Sequence, residues 1–80
     1  MSHEDRVQRL EEATKIARTL IERARERGKK IVETYVLVKA LQDKLSVTRT
    51  TAEGYVTWLG STKEFEVNIY GIKKREEKPE

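Results

Sequence analysis

Along the first third of the chain, positions at alternating spacings of three and four (Val7, Leu10, Thr14, Ala17, Ile21 and Ala24) form a stripe that Ala13, Ile16 and Leu20 broaden. This is the period of an amphipathic helix with one buried face. Ser2 is placed to cap its start, and Glu4 and Asp5 suit the positive end of the macrodipole. Arg23, Arg25 and Arg27 crowd the last turns, and Gly28 follows where a left-handed residue closes a helix. The pattern predicts a long helix over 4–27.

In the next segment Ile31 and Val32 suit a short strand, and Thr34 is placed to cap a second helix ending near Leu45. There Leu37, Leu41 and Leu45 repeat at every fourth residue, with Val38 and Ala40 beside them. Ser46 and Val47 make a tight connection to a third helix over 48–59. Its cap is Thr48 or Thr50; the second choice puts Glu53 three residues on, as in a capping box. Gly60 ends it. After Ser61 and Thr62 the period drops to two. Phe65, Val67 and Ile69 alternate with Glu64, Glu66, Asn68 and Tyr70, which predicts a half-buried strand within 63–72 able to pair with Ile31 and Val32. The segment 73–80 (KKREEKPE) has no apolar residue and holds the only proline, and it reads as a charged, flexible tail. The expected architecture is α+β and mostly α. A single domain over 1–72 holds a long first helix, a helix-turn-helix over 34–59 and a short two-stranded or reduced wing.

Eighty residues suffice for one small core and not for two. No stretch is apolar enough to span a bilayer, and the start, MSHEDRVQRLEE, is polar and acidic rather than a basic stem with an apolar run, so a cytoplasmic location is expected. Without cysteine there are no disulfides, thiolate nucleophiles or thiolate metal sites. A 39% charged fraction of interleaved sign, with one Met, is similar to hyperthermophile compositions. The net charge of +3 is unevenly spread: 4–30 carries nine Lys or Arg against six acids, whereas 31–70 carries four against five. A phosphate-facing surface must therefore borrow charge from outside the helix-turn-helix.

The run Leu45, Ser46, Val47, Thr48, Arg49, Thr50, Thr51, Ala52, followed by Tyr55, Val56 and Leu59, resembles the helix-turn-helix of the winged-helix DNA-binding proteins. Leu45 and Val47 bracket the turn, while Ala52, Val56 and Leu59 recur at helical spacing toward the first two helices. The resemblance covers about 31–72, with Ser46 where Gly is usual, Gln42 where Ala is frequent, and Gly54 inside the reading helix. It implies that the outward residues Arg49, Thr50, Glu53, Gly54 and Thr57 enter a major groove, and that the following strand takes the place of the wing. In size and composition the chain is also similar to small archaeal plasmid and viral regulators.

Each candidate residue has a second reading. Arg49 contacts a base edge or phosphate, or is only solvated. Thr48, Thr50, Thr51 and Thr57 donate to phosphates, although Thr48 or Thr50 is needed as a cap. Gly54, which costs roughly 1 kcal/mol of helix propensity against alanine, marks close approach to another backbone. Tyr55 and Trp58 stack on bases or serve the core. Lys29 and Lys30, with Arg23, Arg25 and Arg27, form a phosphate-contacting patch or complement the helix dipole, and Lys63, Lys73 and Lys74 join the basic set.

The first helix is longer than its short partners can cover, so Val7, Leu10, Thr14, Ala17 and Ile21 are candidates for pairing two copies. The alanines offer the alternative that the helix lies tightly on its own core. His3 stands near a terminus, and no carboxylate is paired with a histidine or a Gly-rich phosphate loop, so neither enzymatic chemistry, a metal, a cofactor nor a small-molecule substrate is expected. The sequence thus points to a homodimeric regulator that reads double-stranded DNA. The alternatives are a protein-interaction module on the same fold and non-specific DNA or RNA binding.

Overall fold

Three helices precede a two-stranded hairpin in the computed structural model, which describes residues 3–75. The expected cap at Ser2 and the tail beyond Arg75 lie outside the described residues. Helix α1 spans His3–Glu26. It closes as its sequence predicts: Gly28 is left-handed at φ 79°, its N–H donates to Arg25 O at 2.9 Å, and that of Lys29 donates to Ala24 O at 2.8 Å. These two bonds satisfy the last carbonyls and turn the chain sharply.

Helix α2 spans Thr34–Leu45 and α3 spans Arg49–Ser61. Two expected caps shift. Glu33 rather than Thr34 sits at the N-cap of α2 and makes no side-chain cap bond. Thr48 caps α3 by accepting from Thr51 N–H at 3.2 Å, so the capping box from Thr50 to Glu53 does not form. Gly60 does not end α3. The helix runs on to Ser61, where Thr62 takes over: its N–H and its hydroxyl both donate to Leu59 O, at 3.1 and 2.7 Å.

The single strand expected over 63–72 is a hairpin of β1 (Phe65–Asn68) and β2 (Gly71–Lys74), antiparallel with Phe65 opposite Lys74 and Asn68 opposite Gly71. Alternation stops at Ile69 because Ile69 and Tyr70 form the two-residue turn, in which Tyr70 N–H donates to Asn68 Oδ1 at 2.8 Å. Ile69, expected to face the core, is 90% exposed. Lys73 and Lys74 belong to β2 rather than to a tail. The pairing expected for Ile31 and Val32 is realised at one residue: Val32 N–H donates to Ile72 O at 2.9 Å and Ile72 N–H to Val32 O at 2.8 Å. β2 is thus flanked by β1 and by Val32, as a small mostly-α α+β fold with a two-stranded wing.

Phe65, Leu37, Leu41, Leu59 and Ile72 fill the centre of the core. Ala13, Ala17 and Ala52, all fully buried, let the helices cross closely around them. Outside the core, Arg18 and Glu64 join α1 to the start of the wing through two hydrogen bonds, Nε to Oε2 and Nη2 to Oε1, the second at 2.6 Å. The Arg18 guanidinium holds the Glu64 carboxyl below its ordinary value, chiefly by hydrogen bonding. No described helix is long and apolar enough to cross a membrane.

Candidate nucleic-acid interface

The connection between α2 and α3 is three residues long. Ser46, at φ 53° and ψ 47°, is left-handed and swings the chain out of α2, Val47 tucks against the core, and Thr48 turns into α3 in an extended conformation. A β-carbon in that left-handed well costs about 1–2 kcal/mol, which is the physical reason glycine suits the position. The turn holds the start of α3 at the surface while Ala52, Val56 and Leu59 pack inward.

The opposite side of α3 is polar and small. Thr50, Gly54, Thr57 and Ser61 follow one another at helical spacing and are exposed, with Arg49 and Glu53 alongside, also exposed. A Cβ built on Gly54 would meet nothing within 4 Å, so no backbone approach among the described residues accounts for the glycine. The hydroxyls differ in what they have left to offer. Thr48 gives its proton to Thr51 Oγ1 at 3.1 Å, and Thr57 gives its own to Glu53 O at 3.2 Å. Thr50 and Thr51 retain protons to donate beside the Arg49 guanidinium and the positive end of the helix dipole.

The remaining basic candidates fall elsewhere. Lys29, Lys30, Lys73 and Lys74, together with Arg25 and Gly28, line one open cleft. Its position follows from the pairing: because Val32 runs antiparallel to Ile72, Lys29 and Lys30 come beside the Lys73–Lys74 end of the hairpin, where α3 feeds into β1. No residue of α3 lines this cleft, so it is separate from the Arg49 end of that helix. Lys73 alone of the five cations has an acidic partner among the described residues, Glu66 at 3.4 Å. Lys63 is exposed in the α3–β1 connection.

Two cations that sequence reasoning left within a general helical charge count stand close to the start of α3. Arg6 and Arg9 share a groove with Thr48, Thr51, Gly54, Tyr55 and Trp58. Only the path of α1 past the start of α3 brings them there; their i, i+3 spacing on α1 gave no sign of it. Tyr55 is half-buried against the core and Trp58 is 36% exposed. Of the proposed pairing residues, Ala17 and Ile21 are 0% and 3% exposed within a single chain, so they are core and not surface. Val7, Leu10 and Thr14 remain accessible. Among the described residues, no three His, Cys, Asp or Glu side chains converge as a metal site would require.

Comparisons with protein-family models, curated proteins and solved structures returned no match.

Proposed function

We propose that the protein is a non-enzymatic, homodimeric transcriptional regulator that binds double-stranded DNA in the cytoplasm and reads its sequence with α3 in the major groove. The observation that carries this reading is the polar outward stripe of α3, held beyond a tight turn and made of Thr50, Gly54, Thr57 and Ser61 with Arg49 and Glu53 alongside. The major groove, about 12 Å wide, admits an α-helix whose outward side chains reach base edges. Arg49 is placed to bond guanine or phosphate, Glu53 to accept from a cytosine amine, and Thr50 and Thr51 to donate to the backbone. The cleft cations Lys29, Lys30, Lys73 and Lys74, with Lys63, meet phosphates farther along the duplex.

A second reading, a protein-interaction module, is favoured by the wing tip. Ile69 is 90% and Tyr70 70% exposed, and the turn that carries them holds no cation.

Selection from a random duplex pool at near-physiological salt separates the two. Enrichment of an inverted repeat supports the dimeric regulator, and its half-site spacing reports the distance between reading helices. Retention without enrichment means backbone binding only. No retention overturns the DNA reading in favour of the protein module.

A further inference from the structure

The start of α1 carries an apolar stripe that its own domain leaves uncovered. The core takes residues of α1 from Ala13 onward, with Ala17 and Ile21 fully packed. Val7 is 41% exposed and Leu10 half-buried, and with Thr14 both border a shallow cleft whose only α3 residue is Trp58. Val7, Leu10 and Thr14 continue the three-and-four spacing of Ala17, Ile21 and Ala24 without a break. Apolar residues at that phase gain nothing on a solvated helix end, and helical turns without tertiary cover are marginal. The repeat is that of a helix pair, with Val7 and Thr14 at one seam position and Leu10 at the other.

The flanks of that seam indicate the occupant. Arg6 precedes Val7 on one side and Glu11 follows Leu10 on the other, five residues apart. In a parallel pair of helices this is the spacing at which flanking residues of one chain meet those of its partner, so Arg6 faces Glu11 of the second copy, twice about the two-fold axis. An antiparallel pair would set the Arg6 flank against the Arg6 flank. Neither Arg6 nor Glu11 takes part in the ion pairs of the described residues, Arg18–Glu64 and Lys73–Glu66.

We propose that the first turns of α1 are a dimerisation seam, in which Val7 and Leu10 pack in parallel on the same residues of a second copy and Arg6 of each chain pairs with Glu11 of the other. This rests on the homodimer reading and names its surface. The partner helix covers the cleft between Leu10, Thr14 and Trp58, which lies apart from Thr51 and Gly54, so dimer formation buries Trp58, the only tryptophan of the chain. The seam is short, and dissociation in the micromolar range is expected of so small an interface.

The test is sedimentation of the full chain without DNA, from sub-micromolar to several hundred micromolar. Wild type is expected to pass from monomer to dimer as Trp58 emission moves to shorter wavelength. Leu10→Glu is expected to raise the dissociation constant at least tenfold, with circular dichroism and melting confirming that it folds. Arg6→Glu and Glu11→Arg are each expected to weaken the dimer, and the double exchange to restore it. A dimer that survives Leu10→Glu, or a double exchange that restores nothing, overturns the seam while leaving a homodimer in place. A wild type monomeric throughout overturns both the seam and the homodimer. A duplex titration of the same samples shows separately whether DNA binding stands, and loss of that binding in every chain would fault the DNA reading rather than the seam.

Discussion

The carbonyl oxygen of Val32 passes so close to Gly71 that a Cβ there would lie 1.9 Å from it. Gly71 also has φ 142°, a conformation that side chains rarely adopt. The two facts together let β2 lie between Val32 and β1, and they fix the wing against the start of α2.

Gly71→Ala is accordingly expected to cost roughly 3 kcal/mol, from backbone strain and overpacking combined. Chemical denaturation would show the midpoint falling sharply. An unchanged midpoint would mean that the wing is not held at Val32.

Gly54 separates stability from function. Its Cβ direction is open, so Gly54→Ala should stabilise α3 by about 1 kcal/mol through helix propensity alone. If the glycine serves close approach to DNA, the same substitution weakens duplex binding at least severalfold. Raised stability with undiminished affinity would remove Gly54 from the interface.

The Arg18–Glu64 pair predicts a pH dependence. Glu64 has a lowered folded value against an ordinary 4.5, so its contribution is present above that ordinary value and is lost as pH falls through the lowered one. Both side chains are substantially solvated, so the effect is small. Glu64→Gln should lower the melting temperature slightly at pH 7 and flatten its decline below pH 4.5. Parallel acid profiles for the two proteins would contradict this.

The lysine cleft should act without regard to sequence. Lys30→Ala and Lys74→Ala are each expected to weaken binding to all duplexes alike and to reduce the salt slope by about one. An effect confined to one duplex sequence would move these residues from backbone contact to base reading.

The helices were legible because period and punctuation agreed: Gly28 closes α1, and the leucine repeat and the Ala52–Val56–Leu59 spacing describe the buried faces of α2 and α3. A two-stranded wing was one of the two forms expected, but the place of its turn was not legible, for a local reason. Its turn residues, Ile69 and Tyr70, are neither Gly, Asn nor Asp and continue the strand alternation, and the informative glycine stands after the turn, where its role depends on Val32, which is distant in sequence. The same limit applied to the site. The outward face of α3 followed from helical spacing, whereas the approach of Arg6 and Arg9 to Thr48, and the joining of Lys29 and Lys30 to Lys73 and Lys74, depend on how elements pack. Ala17 and Ile21 share the periodicity of Val7 and Leu10, and only the extent of the core divides them.

The measurement that tests the central claim most directly is a salt-resolved titration of wild type and Arg49→Ala against a selected duplex and a scrambled one. The account predicts steep salt dependence for wild type, preference for the selected duplex, and loss of that preference in Arg49→Ala at a cost of about 1–3 kcal/mol on the selected duplex alone. Equal loss on both duplexes, or wild-type binding that ignores both salt and sequence, would contradict the reading of DNA by α3.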